Sequence, residues 1–362
     1  MVQLGDTLHM KSMSIPYGTF YNEDCISGAK KHIESNSVDL IITDPPYGID
    51  GHKLHQHYNR DEDFVVEGYV EIPASEYGKF SSNWIKEAER ILKPGGSIYI
   101  VSGYTNLYHI LHALRQTELE EINHIIWKYN FGVYTSKKYV SSHYHILYYQ
   151  KPGEERTFNL ESRFGLGEKD LGNGSLNYQD REDVWIINRE YKPGQVKNKN
   201  ELPTTLLIKM LQYSSNENDL VCDMFLGGFS TAQTAIGLNR RAIGFEIAPV
   251  IFNAKIEELK NIKPGHLLST LRIPEIEKTA NRGKTWTDDD KENLAIRFDQ
   301  LMRSGKTKRD SIEILRDEFG RGRWSIEKML KGLGVQSNSG RGRPKRKRES
   351  KIAGEQTVLS VE

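Results

Sequence analysis

Cysteine is nearly missing from this sequence: Cys25 and Cys222 are the only two. So few, so far apart, give neither the paired spacing of a zinc site nor the density of a disulfide scaffold, so no metal is expected and the setting should be reducing and intracellular. Long apolar runs are missing as well. No stretch approaches the ~20 residues of a membrane helix, and the first residues show no charged-then-apolar signal pattern, so a soluble protein without a membrane partner is expected. Net charge is almost absent, +1 over 362 residues, but it is unevenly spread: residues 340–351 hold seven Lys or Arg against one Glu. The basic end is a separate electrostatic object. The length exceeds a usual single domain of about 100–200 residues, which points to two units.

What is present is an alternation. From residue 18 to about 265, short β-branched and aromatic runs alternate with stretches of helical period, as a mostly parallel sheet with helices on both faces requires. Val38–Thr43 reads as a buried strand, with further strands at 97–102, 121–129, 145–149, 219–224 and 242–247. Helices are expected over 83–92, over 206–213 and from Gly227 onward. Residues 151–195 are polar and weakly periodic, which marks a surface excursion or a target-recognition segment, with base contacts expected from Arg156 to Arg189. Residues 266–283 read as a linker, and 284–336 as a small all-α domain of three amphipathic helices whose apolar positions include Leu294, Phe298, Ile312, Leu315, Ile326 and Leu330. Thr287 with Asp290, and Thr307 with Asp310, have capping-box spacing. Residues 337–362 form a basic tail.

Two motifs carry chemistry. The strand Val38–Thr43 stops at Asp44-Pro45-Pro46-Tyr47, at the carboxyl end where open α/β sheets bind ligands. Asp44 can accept an N–H, and the Pro45 carbonyl cannot be consumed by Pro46, which has no N–H to give. An exocyclic amino group, whose lone pair is delocalised into its ring, is a poor nucleophile until such acceptors draw it toward tetrahedral geometry. Tyr47 can stack on the base that carries it, provided the base is flipped out of its duplex. Taken alone, the tetrapeptide also fits a rigid turn with a surface aromatic.

The second motif runs from Asp223 through Phe225, Gly227 and Gly228 to Thr231, again strand, glycine turn, helix. Glycines admit a cofactor close to the backbone, and a helix N-terminus favours a carboxylate such as that of S-adenosylmethionine. Glu246, ending the next strand, is placed to hold ribose hydroxyls. Individually these residues fit an ordinary turn and a solvated strand end; their combination favours a cofactor site.

With these pieces in order, residues 18 to about 260 resemble the β-group of amino-methyltransferases of DNA. The matching stretches are Asn22-Glu23-Asp24-Cys25, Ser37 to Tyr47, Arg90 to Gly96, Ile126-Trp127-Lys128, Asp183-Val184-Trp185, Pro203 before a helix, Asp219 to Asp223, and Gly244 to Ile247. The resemblance implies a Rossmann-like fold, S-adenosylmethionine as cofactor and DNA with a flipped base as substrate. Asp44, Pro45, Pro46 and Tyr47 would be catalytic. Asp24, which approaches the adenine of the cofactor, would bind it together with Asp223, Phe225, Gly227, Gly228, Glu246 and Pro203. Adenine N6 is the expected target because the motif begins with Asp; cytosine N4 is the alternative, as is a DNA-binding protein that has kept the fold without catalysis. Cytosine C5 is disfavoured because neither cysteine follows a proline.

Two departures stand out. Phe229 replaces the last glycine of the family's cofactor loop, so a shifted turn is expected, and only Lys197 and Pro203 remain of a segment that often reads K-H-P-T-Q-K-P. Farther on, Trp286 to Asp290 and Trp324 are similar to Myb-like helical domains, and Gly340 to Pro344 with Lys345 to Arg348 resembles an AT-hook. Those resemblances imply further DNA contacts, the arginines entering narrow A·T minor grooves. A helical dimerisation module fits residues 284–336 equally well. A homodimer and a cognate restriction endonuclease are left open, and the expected location is the nucleoid region of the cytoplasm, or the nucleus in a eukaryote.

Overall fold

The structure, a computed structural model, describes residues 11–46, 48, 72–130, 135–190, 201–275, 281 and 284–334. It divides into two units at Ile276/Glu277. Tyr47, Lys197 and the tail from Gly340 to Arg348 lie outside the described residues.

The first unit is built on one nine-stranded sheet in the order β1-β2-β9-β8-β3-β4-β6-β5-β7. Its strands are β1 (Ser12–Ile15), β2 (Gly18–Tyr21), β3 (Val38–Thr43), β4 (Leu92–Ser102), β5 (Glu120–Lys128), β6 (His143–Gln150), β7 (Val184–Ile186), β8 (Leu220–Asp223) and β9 (Arg241–Phe245). Its helices are α1 (Cys25–His32), α2 (Tyr77–Ile91), α3 (Leu107–Leu114), α4 (Leu176–Asp180), α5 (Thr204–Ser214), α6 (Ser230–Gly237) and α7 (Pro249–Lys260). β2, β9, β8, β3 and β4 are parallel. β6 runs antiparallel between β4 and β5, and β7 returns parallel to β5.

The apolar run of β3 is explained by burial on both sides, as a central parallel strand requires. Leu40 and Ile42 join Tyr99, Val101, Val221 and Ala242 under α5, α6 and α7. Ile41 faces the other way, with Ile98, Ile100 and Cys222 under α1, α2 and α3. This is the α/β sheet with helices on both faces that the alternation implied, and the small helical domain follows it. α2 begins six residues earlier than the apolar period implied, and β4 reaches back through the Pro94-Gly95-Gly96 turn to Leu92.

Residues 266–275 are fastened to the sheet unit rather than spanning freely. Leu267 N–H donates to Gly237 O at 2.9 Å. Arg272 lies over the Phe164 ring and donates to both oxygens of the buried Glu168.

The second unit holds α8 (Asp288–Arg303), α9 (Lys308–Phe319) and α10 (Arg323–Gly332) around Leu294, Phe298, Leu301, Ile312, Leu315, Ile326 and Leu330. Thr287 Oγ1 accepts from Asp290 N at 3.1 Å while Thr287 N donates to the Asp290 carboxylate, a closed capping box. Gly320, at φ 56°, ends α9 in the left-handed conformation that glycine adopts without penalty.

Candidate functional site

Where parallel strands end, backbone groups and loops converge, and here the carboxyl ends of β3, β8 and β9 meet. They enclose a cleft of about 770 Å³, open to solvent, lined by Asp24, Asp44, Pro46, Phe225, Gly227 and Glu246 among others. The two sequence motifs, some 180 residues apart, therefore face one space.

The Asp44-Pro45-Pro46 motif is held from outside. Tyr77, at the start of α2 and fully buried, donates its hydroxyl to Pro46 O at 2.8 Å. Asn106 Nδ2 donates to Gly48 O at 3.3 Å. Gly48 has φ 62°, and a Cβ there would meet the Tyr77 ring at 2.4 Å, so the turn needs glycine for conformation and for space. Pro45 is buried behind the cleft wall and Asp44 is half-buried on it.

The glycine-turn motif is organised by two carboxylates. Glu246 Oε2 accepts from Gly227 N at 2.8 Å and Oε1 from Ala248 N at 2.7 Å. Burial pushes its pKa up, against the backbone donors that lower it. Asp223 does not line the cleft. Its buried carboxylate accepts from Thr43 Oγ1 at 2.9 Å and from Phe225 N at 3.0 Å. Desolvation raises its pKa to about 7, opposed by those hydrogen bonds.

Gly227 has φ 48°, and nothing lies closer than 3.9 Å to where its Cβ would be, so the cleft reaches the bare backbone there. At Gly228 a Cβ would overlap the Glu201 side chain, so this glycine serves packing rather than the cleft. Phe229 takes φ 61°, a left-handed conformation that glycine adopts freely, and its ring is fully buried between Phe20 and Phe252. The expected shifted turn is thus a glycine-like turn carried by a phenylalanine, at a cost of about 1 kcal/mol or more that the ring's packing offsets.

Asp24 caps α1, its Oδ1 accepting from Ile26 N at 3.1 Å and Ser27 N at 3.0 Å, and it also lines the cleft. Pro203 sits at the N-terminus of α5, its carbonyl taken by Leu206 and Leu207, away from the lining. The structure therefore brings together Asp24, Asp44, Pro46, Phe225, Gly227 and Glu246, and leaves Pro45, Asp223, Gly228 and Pro203 behind the walls. Sequence reasoning missed Phe80 and Ile251, which add apolar wall, and the supports Tyr77 and Asn106. Only the helical period around Phe80 could have signalled any of them.

The segment expected to recognise the target is split between the two edges of the sheet. β6 ends at Gln150 opposite Ser97 and Glu120, at the amino edge. The chain after Gln150 stays there at first: Asn159 N donates to Tyr213 O at 2.8 Å and its side chain to Ser215 O at 3.0 Å, beyond the C-terminus of α5. It regains the edge that holds Asp44 through β7, which pairs with Ile126 to Lys128 at the end of β5.

Comparison with known proteins agrees with this geometry. A family model described as DNA methylase matches residues 38–257. The chain is 33% identical over 227 residues to the type II methyltransferase M.HpaI of Haemophilus parainfluenzae, covering 60% of this chain and 67% of that one. It is 28% identical over 261 residues to the type II methyltransferase M.HinfI of Haemophilus influenzae, covering 68% and 69%. In fold it resembles a PvuII DNA methyltransferase described as cytosine-N4-specific, with TM-score 0.51 and 15% identity over 72% of this chain and 95% of that one. The family model spans more than half of the sequence and both halves of the cleft, and the chain belongs to the DNA methylase family.

Proposed function

We propose that the chain transfers a methyl group from S-adenosylmethionine to adenine N6 of a base flipped out of duplex DNA. The observation that carries this reading is the shared cleft: Asp44 and Pro46 at the end of β3 face the Gly227 turn and Glu246 across one space.

The cleft fits the cofactor. Phe225, Phe80 and Ile251 offer apolar wall for an adenine, Glu246 keeps lone pairs beside its two backbone bonds for ribose hydroxyls, and the bare backbone at Gly227 lets a carboxylate approach. When bound, S-adenosylmethionine supplies a methyl group on a positively charged sulfur. The protein's own part is to prepare the nitrogen. Asp44, on the cleft wall, accepts an amino N–H, and Tyr47 stacks on the ring. Adenine is favoured over cytosine because the motif opens with Asp44.

Further DNA contacts come from the second unit. Trp324 is 70% exposed on α10 with Lys328 Nζ 4.8 Å over its ring, an aromatic and cationic pair of the kind that meets nucleic acid. The type II methyltransferase relatives support a site-specific modification enzyme. Digestion of DNA methylated by the chain, followed by mass spectrometry of the nucleosides, tests the reading: N6-methyldeoxyadenosine is expected, and N4-methyldeoxycytidine would replace the base assignment.

A further inference from the structure

The proposed reaction needs a duplex on the edge of the sheet where Asp44 lies, and the topology says which loops can reach it. β4, β5 and β7 run in the same direction as β3, so Ser102, Lys128 and Ile186 end on that edge, and β6 begins there with His143 opposite Lys128. The connection into β6, described from Thr135, is on the catalytic edge; residues from 151 to Asp180, which accepts from the Tyr213 hydroxyl near the end of α5, are on the other, and the chain returns beside β5 at Asp183.

Charge separates the two in the same sense. No Asp or Glu occurs between Trp127 and Gln150, while Lys128, Lys137 and Lys138 do. Residues 151–183 hold eight Asp or Glu against five Lys or Arg. Lys137, Lys138 and Val140 are exposed, and Tyr139 is 99% exposed.

The base of this loop is tied down. Tyr129 N donates to Ser142 O at 3.1 Å, closing the loop, and Arg189, just past β7, lies over the Tyr129 and Tyr144 rings at 4.8 and 5.3 Å. A stem tied at its base, presenting two lysines and a fully exposed tyrosine on the edge that holds Asp44, matches the polyanionic surface of a duplex, where the tyrosine can meet sugars and base edges.

We infer that duplex DNA docks on the catalytic edge through the loop entering β6, with Lys137 and Lys138 on phosphates and Tyr139 against sugars and base edges, and that residues 151–180 do not contact it. This rests on the methyltransferase reading above. The pieces that lie on the amino edge serve the fold there by closing over α5, Asn159 N donating to Tyr213 O, Arg163 to Gln212 and the Tyr213 hydroxyl to Asp180.

The test is titration of the full chain with a labelled mixed-sequence DNA duplex across a salt series. Lys137→Ala combined with Lys138→Ala should weaken binding several-fold and flatten the log–log salt slope by about 2, since each phosphate contact contributes about −0.9. Tyr139→Ala should weaken binding at every salt concentration with the slope unchanged, which separates this contact from charge. Lys169→Ala, on the amino edge, should leave both unchanged. The inference is overturned if the double variant binds with the parent's slope, or if Lys169→Ala loses as much. Methyl transfer by the parent protein, assayed on genomic DNA that offers every short site, distinguishes the failures: absent methylation with an altered slope sinks the enzymatic reading alone, and intact methylation with unaltered slopes sinks this surface alone.

Discussion

Thr43 Oγ1 donates to Asp223 Oδ1 at 2.9 Å across the interior of the sheet, joining the last residue of β3 to the last residue of β8. The next residue after Thr43 is Asp44, and the same Asp223 oxygen accepts from Phe225 N at the start of the cofactor loop. One buried carboxyl thus ties the end of β3, next to Asp44, to the glycine turn after β8.

That carboxyl gives a pH dependence. Its folded pKa is raised from 3.8 to about 7, so the folded state holds the proton more tightly than the unfolded chain does. The stability this contributes is full below about pH 4 and is lost as pH rises through about 7. The melting temperature of Asp223→Asn, followed from pH 4 to 8, should therefore fall less with rising pH than that of the parent. Parallel curves for the two proteins would contradict the raised pKa.

Tyr77 acts through Pro46. Tyr77→Phe leaves the ring in place against Gly48 but removes the donor to the Pro46 carbonyl, an omission that costs about 1–3 kcal/mol when the group is buried. A lower kcat with an unchanged KM for S-adenosylmethionine is expected. An unchanged kcat would show that the motif holds its shape without this support.

Phe229 sets a conformational cost against burial. Phe229→Gly relaxes a left-handed backbone at φ 61° but deletes a fully buried ring, and ring deletion from a core typically costs about 3–5 kcal/mol. The variant should be less stable by roughly 2–4 kcal/mol in denaturant unfolding. A more stable variant would mean that strain outweighs packing at this turn.

Glu246 ties the loop to β9. Glu246→Gln keeps the shape and one acceptor toward Gly227 or Ala248 but turns the other oxygen into a donor. Affinity for S-adenosylmethionine should fall at least tenfold by calorimetry, about 1.4 kcal/mol, with DNA affinity intact. Equal cofactor affinity would place the ribose elsewhere.

Much of this site was legible because its signals are local. An apolar run stopped by Asp44-Pro45-Pro46 marks the end of a buried strand, and an acid at a strand end after a glycine turn marks Glu246. The supports were not legible, since Tyr77 lies 31 residues and Asn106 lies 58 residues from the carbonyls they hold, and only tertiary packing joins them. The position of residues 151–180 was hidden for another reason. Strand order decides it, and the antiparallel insertion of β6 between β4 and β5 sends the chain to the amino edge, whereas periodicity reports only that a strand exists. Asp223 is the instructive case: its motif pointed to the cofactor, and its hydrogen bonds point inward to Thr43 and Phe225.

The central claim is that Asp44 prepares an amino group for methylation, and one measurement tests it directly. DNA is incubated with isotopically labelled S-adenosylmethionine and either the parent protein or Asp44→Ala, and the nucleosides are then separated. The parent should place label on the N6 of deoxyadenosine. Asp44→Ala should reduce that rate by about 10²–10³, as loss of a preorganised polar partner typically does, while still binding the cofactor. Labelling by Asp44→Ala at the parent rate, or label on the C5 of cytosine, would contradict the assignment.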